Sequence, residues 1–155
     1  MSKGFVVAEQ GHIVQMIIPA SFSAATTSDV LNMENWSHAS IIVHGGAGSS
    51  STITVSDANS FASSGATMVF RYQQETTAGG DTATAALAWA TTAGVALGTA
   101  TGVYINIEID ADELRDGYNY LMINATDPGT SKLIGAVAVL SGGRYQKDIT
   151  ATTIV

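Results

Sequence analysis

Apolar and polar residues alternate with period two along much of the chain, most regularly at Val103-Tyr104-Ile105-Asn106-Ile107-Glu108-Ile109-Asp110. Odd positions there are aliphatic and even ones polar or amphipathic, the pattern of a strand with one face in a core. Similar runs at 12–18, 39–44, 51–56, 67–74, 83–90, 118–125 and 133–140 predict further strands, and so many short strands predict two packed sheets. The connections predict antiparallel neighbours. His44-Gly45-Gly46-Ala47-Gly48-Ser49-Ser50 is too short for a crossover helix and reads as a Gly-rich hairpin loop. Asp127-Pro128-Gly129 puts Pro and Gly at the second and third places of a tight turn, which predicts a hairpin of 118–125 with 133–140. Asp116-Gly117 is another turn. Just before it, Asp110 to Arg115 predicts one helical turn, with Asp110 as cap and Glu113 as its capping-box partner.

Leu133 to Leu140 is apolar on both parities and is expected to be covered on both faces or to meet another subunit. The β-prone ends, residues 1–10 and 147–155, read as extended arms around a core of about 11–146. Loops at 76–81 and 91–102 are expected at the surface, with Trp89 and Leu97 anchoring the second. The resulting expectation is one all-β domain, a single antiparallel two-sheet β-sandwich of jelly-roll type with extended N- and C-terminal arms.

Composition narrows the function classes. Charged residues make up 12% of the chain, and 6 basic against 13 acidic residues give a net charge of −7, which repels nucleic acid and anionic lipid. With no Cys there is no disulfide, thiolate metal site or cysteine nucleophile. The apolar run near the N-terminus breaks after a few residues, and Leu133 to Leu140 is well short of a membrane span, so neither export nor membrane insertion is expected.

Candidate chemistry is sparse. His44-Gly45-Gly46-Ala47-Gly48 has the look of an esterase oxyanion loop, but no Gly-x-Ser-x-Gly elbow accompanies it, and no Lys-Ser or Lys-Thr makes it a phosphate loop. His38 and His44 share parity on one strand, yet six residues separate them, which is too far for joint metal ligation without a bend. Glu108, Asp110, Asp112, Glu113 and Asp116 echo a calcium loop, although Leu114 stands where an oxygen ligand is needed; capping and turn formation account for the same acids. No catalytic, cofactor-binding or metal-ligating set is assigned. The interface candidates are Phe5, Val6 and Val7 in one arm, Ile149, Ile154 and Val155 in the other, and Trp36 and Tyr104 as exposed aromatics.

Several segments together resemble a family of small virion structural proteins of tailed bacteriophages. They are Leu31-Asn32-Met33-Glu34-Asn35-Trp36-Ser37-His38-Ala39-Ser40-Ile41-Ile42-Val43, Thr52-Ile53-Thr54-Val55 and Phe70-Arg71-Tyr72. Further on come Ile107-Glu108-Ile109-Asp110-Ala111-Asp112-Glu113-Leu114 with Asp116-Gly117-Tyr118, and Ala138-Val139-Leu140-Ser141-Gly142 with Arg144-Tyr145. The likeness spans about residues 30 to 146. It implies a non-enzymatic β-sandwich made in the host cytoplasm and carried on the virion, on the outer surface of the head. There it would act as a capsid decoration or cement protein whose partners are the major capsid protein and further copies of itself. The rival expectations are a tail or neck component, and a carbohydrate-binding or host-attachment module using the two loops and exposed aromatics. A small hydrolase acting through His44 or the 110–116 acids ranks last.

Overall fold

The computed structural model describes residues 6–63, 65–84 and 86–144. In chain order its strands are β1 (Gly11–Phe22), β2 (Thr26–Thr27), β3 (Leu31–Asn32), β4 (Trp36–Gly48), β5 (Thr52–Ala58) and β6 (Thr67–Met68), then β7 (Phe70–Glu75), β8 (Ala88–Ala90), β9 (Val95–Ala96), β10 (Val103–Asp110), β11 (Tyr120–Ala125) and β12 (Lys132–Gly143). One helical turn, α1 (Val7–Gln10), precedes β1, and a 3-10 turn at Ala111–Glu113 follows β10. No helix among the described residues is long and apolar enough to cross a membrane.

The strands make two antiparallel sheets that pack as a sandwich. One runs β1-β12-β4-β10-β7-β8 and the other β2-β11-β5-β6, with β3 also on β11 and β9 on β5. The pairs β1 with β12, β2 and β3 with β11, β4 with β10, and β5 with β9 nest like the two arms of one long hairpin. Rolling that hairpin brings β12 alongside β4 and β11 alongside β5, which is the jelly-roll arrangement. Strands β7 and β8 extend the first sheet beyond β10.

Alternation decides which side chains fill the interior. Val103, Ile105, Ile107 and Ile109 of β10 are all buried, as are Ala39, Ile41 and Val43 of β4; Ile53, Val55, Leu121 and Ile123 meet them from the second sheet. Tyr104, Asn106, Glu108 and Asp110, on the other parity of β10, face outward and are half-buried. The expected helical turn forms with its box bond, the Asp110 N–H donating to Glu113 at 2.8 Å.

Four local expectations are corrected. Residues 118–125 and 133–140 do not form a hairpin, because β11 and β12 lie in different sheets and the turn at Asp127-Pro128-Gly129 carries the chain across the sandwich. The Gly-rich segment is likewise no hairpin loop: Gly45, Gly46 and Gly48 belong to β4, after which the chain crosses to β5 in the other sheet. A rolled hairpin has this property, since neighbours in sequence become neighbours across the core. Among the described residues of the run at 83–90 only Ala88–Ala90 form a strand, while Thr84 is spent on loop contacts to Gln73 and Gln74. Leu97 anchors its loop as expected, but Trp89 is 63% exposed and its ring meets the Arg71 guanidinium on the outer face, 5.9 Å from the centroid.

Two charged groups fasten the sandwich from inside. Lys132 is wholly buried, and its amine donates to Gly46 O at 2.8 Å and Gly98 O at 2.7 Å, tying β12 to β4 and to the loop after β9; burial pushes its pKa down. A side chain at Gly45 would collide with Leu97, its Cβ lying 2.9 Å from Leu97 Cγ, so glycine is what lets β4 pass beneath that loop. At the end of β5 the buried Asp57 carboxylate takes both ends of the Arg115 fork, at 2.7 and 2.6 Å, and the guanidinium lies 3.9 Å from the Tyr118 ring. Arg115→Ala is expected to lower stability in urea unfolding at neutral pH by about 2–3 kcal/mol, because it strands a buried carboxylate. The Arg115 hydrogen bonds hold Asp57 below the usual carboxylate range, so this advantage is present above that range and is lost as pH falls through the lowered value. A loss under about 0.5 kcal/mol would show that water replaces the guanidinium.

Candidate functional site

The outer face of the first sheet carries the chemistry, and register explains why. Cross-strand pairing sets Ser40 beside Glu108, Glu108 beside Arg71 and Arg71 beside Trp89; one row away His38 lies beside Asp110. Residues far apart in sequence thus form one cluster. His38 sits between two carboxylates, Nδ1 at 2.6 Å from Asp110 Oδ1 and Nε2 at 2.7 Å from Glu108 Oε2. Ser40 donates to Glu108 Oε2 at 2.6 Å, Asn106 donates to Glu108 Oε1 at 2.7 Å, and Arg71 donates to Asp110 Oδ2 at 2.5 Å with Glu113 3.5 Å away.

Hydrogen bonding from Glu108 raises the His38 pKa, with Asp110 adding to it against the opposing effect of burial. Asp110 is held low by its bonds from His38 and Arg71. Burial pushes Glu108 upward, but the donors His38, Ser40 and Asn106 together outweigh it, leaving that carboxyl below its ordinary range. The result is a histidine clamp between β4 and β10, its two carboxylates favouring the protonated imidazole.

Asp110, His38 and Ser40 stand in the order of an acyl-transfer triad, with Ser40 Oγ 3.3 Å from His38 Nε2. Glu108 alters what that order can do. It accepts the hydrogen bond of the Ser40 hydroxyl and favours the protonated form of His38, and a protonated imidazole is not a base. The acids at 110–116 do not converge as a calcium loop either, since Asp110 and Glu113 turn to His38 and Arg71. Among the described residues no three His, Asp or Glu side chains are placed to hold a metal ion. His44 is exposed on the same face as His38, and His12 stacks on Trp36 at 5.8 Å between centroids, so the imidazoles are dispersed.

Beside the clamp the same face turns apolar. Ile42, Leu133 and Val137 stand outward at the surface and, with Pro19, His44 and Gly135, line a groove of about 340 Å³; Ile13, 60% exposed, continues the patch onto β1. Sequence announced this patch through the two-parity apolar run at 133–140, whose inward residues Ile134, Ala136, Ala138 and Leu140 are buried while Leu133 and Val137 are left uncovered. Trp36 is corrected: it is fully buried, because the chain turns at Met33 to Trp36 and brings the ring into the core. Val7 is corrected too, since it opens α1 instead of an extended arm, with Glu9 and Gln10 donating to Val6 O at 3.0 Å; Val6 is exposed. Tyr104 is half-buried on the outer face. Phe5, Ile149, Ile154 and Val155, and with them the arm at 147–155, lie outside the described residues.

A raised His pKa stabilises the fold below the ordinary His range and ceases to do so as pH rises through the raised value; the lowered carboxyls stabilise it above their ordinary range and stop below their lowered values. Replacement of His38 by Gln is therefore expected to reduce the thermal midpoint more at about pH 5.5 than at about pH 9. An equal deficit at both would mean that the imidazolium is not the stabilising species.

No family model matches the chain, and no curated protein matches it. Among solved structures, it is similar to the SPBc2 prophage-derived protein YomS, with a TM-score of 0.48 and 8% identity over 85% of this chain and 95% of that one.

Proposed function

We propose that this chain is a non-enzymatic structural component of a bacteriophage virion, a capsid decoration or cement protein bound across neighbouring major capsid subunits as a homo-oligomer. The observation that carries this reading is the uncovered apolar groove around Ile42, Leu133 and Val137 on an otherwise strand-ordered, rigid face. Apolar side chains on a sheet face gain about 25 cal/mol for each Å² removed from water, and a stiff sheet gives up little conformational freedom when it docks. A protein that works by covering a seam needs such a face and no reaction centre. The resemblance over residues 30 to 146 supports a capsid surface as the partner, and many weak copies add up through effective concentration.

The test is sedimentation of purified particles, with copies of the protein counted per major capsid subunit in tailed particles and in tailless heads. A high, fixed ratio in both is expected for the wild type. The substitutions Leu133→Glu and Val137→Glu place a charge in the seam and are expected to lower occupancy at least tenfold, equivalent to about 1.4 kcal/mol, while circular dichroism and thermal midpoint stay near wild type. Confinement to tails, absence from every particle, or undiminished occupancy of the folded variants would overturn the reading.

A further inference from the structure

A second groove on the same sheet is of different chemistry. It has a volume of about 450 Å³ and runs along the outward residues of β10, lined by Tyr104, Asn106 and Glu108, with Ser40 and Ile42 on the β4 side and Gln73 on the β7 side. Its far wall is fixed. The buried Glu75 carboxylate accepts from the Thr77 N–H at 2.7 Å and the Thr82 N–H at 2.5 Å, and Gln73 donates to Thr84 O, so the loop after β7 is strapped down beside the groove.

The lining sets hydrogen-bonding groups into a largely apolar surface that includes Ile42 and Tyr104. Glu108 is an ionised acceptor whose position is set by Ser40, His38 and Asn106, and its Oε1 receives only the Asn106 bond among the described residues. The Tyr104 hydroxyl and the side-chain carbonyls of Asn106 and Gln73 have no partner among the described residues and so retain hydrogen-bonding capacity for a ligand. A polyol can bond to these groups, while the half-buried Tyr104 ring offers an apolar plate to a sugar ring's C–H face. Charge selects among sugars. Glu108, Asp110 and Glu113 against His38 and Arg71 leave the area acidic, on a chain of net charge −7, which disfavours sulfated, phosphorylated or sialylated glycans.

We propose that the groove along Tyr104, Asn106 and Glu108 binds a neutral oligosaccharide, on a part of the sheet distinct from the Leu133 groove. This does not depend on the virion reading. The site lies on the sheet face, not in the loops at 76–81 and 91–102 that the sequence singles out for carbohydrate contact.

The experiment is titration of the full chain on a neutral-glycan array, followed by calorimetry with maltohexaose, cellohexaose and chitohexaose and with a heparin hexasaccharide as the anionic probe. At least one neutral hexasaccharide is expected to bind with a dissociation constant of about 1 mM or tighter. Tyr104→Ala and, from the opposite wall, Gln73→Ala are each expected to weaken it about fivefold or more, with thermal midpoints confirming that both variants are folded. Absence of neutral-glycan binding, tighter binding of the heparin fragment, or unchanged affinity in the folded variants would overturn the proposal. Particle occupancy is a separate readout, so failure here and failure of the decoration role are told apart.

Discussion

Everything on the outer face depends on β4 being paired along both edges, with β12 on one side and β10 on the other. Those two ladders fix the register of β12, β4 and β10 and so determine which side chains share a row. The inward rows are aliphatic and make the core; the outward rows then have no freedom to choose their company. Ser40, Glu108, Arg71 and Trp89 stand in line because Ala39, Ile41, Ile107 and Ile109 must point the other way. A slip of one residue would bury the clamp and expose the core, so the stability of the sandwich and the geometry of the surface are a single constraint.

The strands of this fold were legible where packing is one-sided. On β10 the alternation is uninterrupted, and its buried and outward residues fall where the period places them. Connectivity was harder, because turn chemistry reports a change of direction and says nothing about which sheet receives the next strand. Asp127-Pro128-Gly129 makes a sharp turn in either case, and only the rolled pairing of the whole chain shows that it crosses the core. The eight strand runs also missed the two-residue strands β2, β3 and β9, which are too short to show a period and exist because β11 and β5 offer edges to them.

Of the candidate sites, the apolar patch was half written in the sequence and the clamp was not. Leu133 to Leu140 has more apolar residues than one core face can use, and the excess is what reaches the surface. The clamp needs His38, Arg71, Glu108 and Asp110 together, and no local spacing links positions 38, 71 and 110; register alone does so. Trp36 misled for a related reason, since a lone aromatic in a polar stretch looks exposed until the turn at Met33 carries it inward. The outer face therefore divides into an apolar half around Leu133 and a polar half around Glu108, with Ile42 on the border of both grooves. A single rigid sheet can in this way present two surfaces of opposite preference within a few strand spacings.

The buried ammonium of Lys132 has a practical corollary. The chain contains three lysines, Lys3, Lys132 and Lys147, and the one within the sandwich is walled in by the carbonyls it serves. Among the described residues, then, neither sheet face offers a lysine to an acylating label, a cross-linker or an activated resin. Among the described residues, amine coupling performed on the folded protein finds no free lysine on the Leu133 and Glu108 surfaces, and the appearance of label at Lys132 becomes a direct signal that the β4–β12 seam has opened.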